Sequence, residues 1–194
     1  MADLCRSFPP SESPDARVLI LGSMPGGESL RRQQYYAFPH NVFWRIAGTL
    51  FHFPYDAPYE ERLAKLREAG VALWDVLCEC EREGSLDTAI RSPEPNDIPG
   101  LLARCPKIEL ICCNGSASFN CLRRFFPRLP VPAVRLPSTS PAAARYTYEQ
   151  KLAAWRDALG RTSPPLIQCS QLRLSTRKTC PPLKQRLAPL KREG

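Results

Sequence analysis

An α/β sandwich on a mostly parallel sheet is the fold class this sequence predicts, and three observations predict it. Short apolar runs of strand length recur along the chain, amphipathic segments with helical spacing stand between them, and 194 residues suit one domain with its own core. The first run, Arg17-Val-Leu-Ile-Leu-Gly22, is apolar and stops at glycine, as buried parallel strands often do, and Ser23-Met-Pro-Gly-Gly27 reads as a turn. Asn41 to Phe53 places Val42, Ile46, Leu50 and Phe53 on one side, with Phe43 and Trp44 adding bulk; a helix is expected there, ending before Pro54. A further helix is expected from Glu60 to Ala69. After Gly70, Val71 to Leu77 reads as a second strand, Lys107 to Cys113 as a third and Val131 to Leu136 as a fourth. Ala142, Tyr146, Leu152, Trp155 and Leu159 recur at mixed helical spacings, which makes Pro141 to Leu159 a closing helix.

The ordered domain is expected to span residues 16–160, after a flexible N-terminus over 1–15 and before a basic, proline-rich tail over 161–194. In that tail Pro164, Pro165, Pro181, Pro182 and Pro189 interrupt every regular element. The formal net charge of +8 suggests an anionic partner, but it is unevenly placed. Residues 161–194 hold eight basic side chains against one acid, so 1–160 carry only +1. The basicity is therefore weak support for nucleic-acid binding by the domain itself. Met1 to Asp15 contain charges, serines and prolines and no apolar signal segment, so the nine cysteines point to a reducing, cytoplasmic location. Cys78 with Cys80, and Cys112 with Cys113, lack the spacing of a zinc or iron–sulfur site and read as small buried hydrophobes. No metal, organic cofactor or membrane partner is implied, and a monomer is expected.

In open parallel sheets ligands sit beyond the carboxyl ends of the strands. Three segments there are unusual: Gly22-Ser-Met-Pro-Gly-Gly-Glu-Ser-Leu30 continuing through Gln33-Gln-Tyr-Tyr-Ala-Phe-Pro-His-Asn-Val-Phe-Trp44, then Cys113-Asn-Gly-Ser-Ala117, then Leu136-Pro-Ser-Thr-Ser-Pro-Ala142. As an ordered set between about Arg17 and Leu159, they resemble the hypoxanthine-DNA glycosylase family, the sixth family of the uracil-DNA glycosylase superfamily. That family's pattern runs GSxPG, SL, QQYYAHPxNxFW, NG and LPSTSPA. The resemblance implies a three-layer α/β/α sandwich around a four-stranded parallel sheet, and a DNA partner containing a deaminated base, on which the protein acts at the nucleoid. The chain departs from the pattern at Phe38, where histidine is usual, and at His40, where arginine is commoner. Phe38 cannot hydrogen-bond, so a polar contact from that position is either absent or supplied by His40.

An enzyme of this kind extrudes the nucleotide, because water cannot reach the sugar carbon inside a duplex. Cleavage builds positive charge on the sugar and negative charge on the base, so the site needs a positioned water and donors aimed at the base. The resemblance assigns the water to Asn41; an amide is a poor base, so its carbonyl would orient water and not deprotonate it. Asn41 equally suits the cap of the helix that follows. Asn114 offers one donor and one acceptor, matching O6 and N1–H of hypoxanthine but also the same pair on uracil. Pocket walls such as Tyr35 and Tyr36 would then sense ring size by stacking. Ser23, Pro25, Gly26 and Gly27 would bring main chain to the sheet's edge, suited to the base or to phosphate, and Ser138, Thr139 and Ser140 would contact flanking phosphates. Ser140-Pro141 also suits a helix start. Gly84 to Asp87 and Asn96 to Ile98 are assigned no chemistry, because turns and caps account for them. With no lysine expected where the loops converge, the product is a plain abasic site. Three other readings stay open: uracil removal, a non-catalytic DNA-binding module, and a hydrolase pairing Ser138 with His40 or His52, which lacks the G-x-S-x-G elbow.

Overall fold

The computed structural model describes residues 3–162, 166 and 167. The remainder of the basic tail lies outside the described residues. The described residues form seven strands and six α-helices, in the order β1 (Asp3–Arg6), β2 (Val18–Gly22), α1 (Gly27–Arg32), α2 (Phe43–Phe51), α3 (Tyr59–Glu68), β3 (Val71–Asp75), β4 (Leu77–Arg82), β5 (Arg91–Pro95), α4 (Ile98–Arg104), β6 (Leu110–Asn114), α5 (Ser116–Phe125), β7 (Ala133–Leu136) and α6 (Tyr148–Leu159).

Four strands form a parallel sheet in the order β3-β2-β6-β7. The apolar runs of β2 and β3 are buried at every position, and that of β6 at all but Asn114, which requires cover on both faces. Helices supply it. α3 packs on β3, α5 on β6 and β7, α6 on β7, and α2 lies against both α3 and α6, completing the three-layer α/β/α sandwich. Phe43, Ile46, Ala47 and Leu50 turn the apolar side of α2 into the core, as their spacing predicts.

Beside this layer stands an antiparallel sheet, β1-β4-β5, which the periodicity does not reveal. The apolar run from Val71 to Leu77 is divided between two sheets. The chain leaves β3 at Asp75, and the Val76 and Leu77 N–H groups donate to the carbonyls of Gly22 and Ser23, at 2.9 and 3.1 Å. β4 then pairs antiparallel with β1 and β5. Of residues 1–15, expected to be flexible, Asp3–Arg6 form β1, Cys5 and Phe8 are buried, and Ser11 bridges Leu73. Ladder hydrogen bonds and two buried side chains hold a segment whose composition reads as a loose end. At the other end, Thr162 is buried and the Leu166 N–H donates to its Oγ1 at 2.8 Å, so packing continues past Gly160.

The closing helix is shorter than its apolar spacing suggests. Thr147 caps it with a reciprocal capping box through Gln150, so α6 starts at Tyr148 and Pro141 to Tyr146 remain turns. The Ser140-Pro141 start is thereby displaced by a stronger cap. No described helix is long and apolar enough to cross a membrane.

Candidate active site

The carboxyl ends of β2, β6 and β7 open into one cleft of about 330 Å³, within the range of small-ligand sites. All eleven residues singled out from the sequence line it: Ser23, Pro25, Gly26, Gly27, Tyr35, Tyr36, Asn41, Asn114, Ser138, Thr139 and Ser140. Convergence does not make their roles alike.

Asn114 ends β6, and its amide is held by Thr139. The Thr139 N–H donates to Asn114 Oδ1 at 2.9 Å, while Asn114 Nδ2 donates to Thr139 Oγ1 at 2.9 Å. A backbone donor accepts no alternative, so Oδ1 and Nδ2 are assigned without ambiguity. Beyond Thr139, one N–H of Nδ2 and one lone pair of Oδ1 remain, with the Tyr36 hydroxyl close by. Thr139 is fully buried. Its expected role as a phosphate contact is therefore corrected: its hydroxyl and N–H are engaged by Asn114. The Val42 N–H donates to the Thr139 carbonyl at 3.1 Å, so this residue also ties the start of α2 to the loop after β7.

Asn41 is half-buried at that junction, and its Oδ1 accepts from the Phe43 N–H at 3.0 Å. The helix starts one residue later than anticipated, with Val42 at the N-cap and no side-chain cap bond, so Asn41 closes a turn just ahead of α2 and keeps its second Oδ1 lone pair and Nδ2 for other partners. Behind the loop, α6 holds position through Trp155 Nε1 on the Pro137 carbonyl at 3.1 Å and Lys151 Nζ on the Ser140 carbonyl at 3.2 Å. Lys151 is buried, and desolvation lowers its pKa. A lysine does reach the converging loops, contrary to expectation, but from behind and not among the lining residues. Ser138 Oγ accepts from the Ser140 N–H, and Ser140 Oγ accepts from Ala142 N–H, both at 3.2 Å. No histidine pairs with Ser138, which removes the nucleophile–base geometry a serine hydrolase needs.

The two tyrosines divide unequally. Tyr35 is buried, meets Phe8 edge-on at 5.2 Å and donates from its hydroxyl to the Pro9 carbonyl at 3.1 Å. Its role as a stacking wall is corrected: it is a core residue that borders the cleft. Tyr36 is half-buried, adopts φ 54°, and stacks one face on Phe43 at 4.0 Å and 25°. A left-handed tyrosine costs about 1–2 kcal/mol, a strain the surrounding packing sustains.

Within the segment Gly84 to Asp87, assigned no chemistry from the sequence, Ser85, Leu86 and Asp87 form a wall of the cleft. Ser85 Oγ accepts from the Gly27 N–H at 2.9 Å, and Ser23 Oγ donates to Asp87 Oδ1 at 2.6 Å. Pro25 is held through its carbonyl by Nη2 of the buried Arg82. Asn96 and Asp97, by contrast, do serve structure: Asn96 Nδ2 donates to the Asp75 carbonyl, and Asp97 caps α4. Glu28 lines the cleft, but Arg31 and Arg32 pair with it and hold its carboxyl down at about 2. So low a pKa makes it a poor proton acceptor. Phe38 stands exposed at the rim with His40 packed edge-on against it at 5.5 Å, and His40 does not line the cleft. Burial pushes the Cys112 and Cys113 thiols up to about 12 and about 11, fitting the small hydrophobes their spacing suggests.

The family model for the Uracil DNA glycosylase superfamily matches residues 9–159. A hypoxanthine DNA glycosylase from Methanosarcina acetivorans is 44% identical over 111 residues, covering 57% of this chain and 70% of that protein. Another from Methanosarcina barkeri is 32% identical over 159 residues, covering 80% of this chain and 98% of that protein. A solution NMR structure of a candidate uracil DNA glycosylase from Methanosarcina acetivorans superposes with a TM-score of 0.68 at 36% identity, over 80% of this chain and 99% of that one. By sequence, by fold and by the loops that meet at its cleft, the chain belongs to the uracil DNA glycosylase superfamily.

Proposed function

We propose that this protein removes hypoxanthine from DNA, hydrolysing the N-glycosidic bond of deoxyinosine to leave an abasic site. The observation that carries this reading is the junction at Thr139, which fixes the orientation of Asn114 and lies one residue from Asn41 through the Val42 contact. Two amides that meet at one cleft can serve opposite sides of a scissile bond. The two hypoxanthine DNA glycosylase relatives support the choice of base.

In this mechanism the extruded base enters the cleft and lies on the free face of Tyr36, whose other face rests on Phe43. Asn114 offers its remaining Nδ2 hydrogen to O6 and its remaining Oδ1 lone pair to N1–H. Adenine presents the reverse pattern and leaves both groups unpaired, which costs about 1–3 kcal/mol for each buried group. Asn41 orients water by Oδ1 toward the sugar carbon. Ser138 and Ser140 face the flanking phosphates, and the main chain at Ser23, Pro25 and Gly26 approaches the base. Charge separation is met by positioned donors and by the phosphates. The protein acts as a monomer inside the cell, and seven free cysteines among the described residues suit a reducing location.

Strand scission by alkali tests this on matched duplexes carrying one deoxyinosine or one deoxyuridine. Inosine cleavage is expected, falling by about 10²-fold in Asn41→Ala with the fold intact. Cleavage at uracil alone would transfer the activity to that base, and DNA binding without cleavage would favour the binding module.

A further inference from the structure

Asp75 is the only buried acidic residue among those described, and it ends β3 in the middle of an apolar run. Its Oδ2 is buried without a hydrogen-bond partner, and the buried Tyr36 hydroxyl makes no full hydrogen bond either, although Asn114 lies near enough to it to oppose the rise that burial causes in its pKa. Both side chains converge on Gly22 in the cleft wall. A Cβ built there would lie 2.2 Å from Asp75 Oδ1 and 3.3 Å from Tyr36 Oη, so the space a side chain would fill is occupied by the carboxyl group. The Tyr36 ring, but not Asp75, lines the cleft. Asp75 is therefore buried beside the cleft and not part of its lining.

A carboxylate left there without a donor is costly, whereas a carboxylic acid is tolerated. The charged groups around it pull in opposite directions. Asp87, from the loop after β4, disfavours ionisation, and Arg82, from β4 itself, favours it. Tyr35 and Tyr36 before α2, and Tyr59 of α3, face it as neutral phenols, each with its own pKa raised mainly by burial. Desolvation is the largest influence on Asp75, and its carboxyl is pushed up to about 7.

We infer that Asp75 is a positioning residue for base excision, acting as a neutral acid that engages the Tyr36 hydroxyl when a base presses on the ring, and that its carboxylate is the inactive form. The inference rests on the glycosylase reading above. The physical reason is the charge of the leaving group. The base departs as an anion, and a second negative charge behind the same wall opposes its development. No proton leaves Asp75 in this scheme; what matters is that the site stays uncharged. The two oxygens then form one hydrogen bond, with the Asp75 O–H donating to Tyr36 Oη, and stacking on Phe43 keeps the Tyr36 ring in place.

The test follows single-turnover excision of deoxyinosine from about pH 5.5 to about pH 9 for the full chain and for Asp75→Asn, beside a carbon-13 NMR titration of the aspartate carboxyls. Wild-type rates should fall roughly tenfold per pH unit above about pH 7. Asp75→Asn, neutral throughout, should lose that falling limb and exceed the wild type more than roughly tenfold near pH 8.5. The carboxyl signal missing from Asp75→Asn should titrate near neutrality in the wild type. A falling limb unchanged in the variant, or a titration below about pH 5, overturns the role of Asp75 while leaving the glycosylase reading intact. No excision by the wild type at any pH overturns that reading and this role with it. The NMR titration decides the matter if the variant fails to fold.

Discussion

Gly115 joins the residue proposed to read the base to the helix behind it, and replacing it with alanine tests how rigidly the cleft is built. Its backbone lies at φ 104° and ψ 174°, a region that is essentially restricted to glycine and costs other residues about 1–3 kcal/mol. A Cβ there would stand 2.9 Å from Ser138 Cβ, within the loop after β7. Overpacking of this kind costs about 1–3 kcal/mol, because neither β6 nor the Pro137–Ser140 loop, held by α6, can withdraw freely. Together the two effects predict a loss of about 2–6 kcal/mol for Gly115→Ala, lowering Tm by roughly 5–20 °C. Relief of the clash would also move Thr139 away from Asn114, so excision should fall even at temperatures where the variant is folded. Gly84→Ala is the control: its φ is 68° but no atom lies within 4 Å of the added Cβ, so only about 1–2 kcal/mol of backbone strain applies. Urea denaturation and single-turnover excision at low temperature measure both effects. Equal losses in the two variants, or unimpaired excision in Gly115→Ala, would refute a loop contact fixed by sterics.

Thr139→Val retains the backbone donor to Asn114 Oδ1 and removes the acceptor for Nδ2. A stability loss of about 1 kcal/mol is expected, with weaker discrimination of inosine over adenine in competition assays. Asp75 also makes stability depend on pH. Its folded pKa is raised from 3.8 to about 7, so the native state binds the extra proton and stability falls as pH rises between those values. The full penalty, roughly 3–5 kcal/mol, is present above about pH 7. Asp75→Asn should therefore gain stability over the wild type between about pH 5 and about pH 8 in parallel denaturant titrations, whereas parallel curves would contradict the raised pKa. Glu28→Gln breaks exposed ion pairs alone; stability within about 0.5 kcal/mol of wild type and an unchanged pH–rate profile are expected, and a lost acidic limb would make Glu28 the base.

Much of the site was legible in linear order, because loops that touch a ligand carry dense, unusual residue combinations. The segments around Ser23, Asn41, Asn114 and Ser138 read as functional, and they line one cleft. Asp75 left a weaker trace: a lone acid inside an apolar run is a conflict between burial and charge, although the strand pattern hides it. The wall from Ser85 to Asp87 was passed over because its residues suit turns equally well.

Local composition and periodicity by themselves determined the parallel strands, the helices α2 and α3, the existence of a closing helix and the loops where chemistry gathers, since each depends on near neighbours, whereas α1, α4 and α5 were not read from the sequence. Which partner each side chain meets was decided only by the tertiary structure. Val71 to Leu77 is one apolar run, yet it splits at Val76 because Gly22 and Ser23 offer carbonyls there. The polar segments Asp3–Arg6 and Arg91–Pro95 become strands because β4 lies between them. Thr139 resembles a phosphate contact until the amide of Asn114, 25 residues away, takes both its hydrogen-bonding groups. Burial and long-range hydrogen bonds are properties of the assembled chain, and they set which of several chemically possible roles a residue retains.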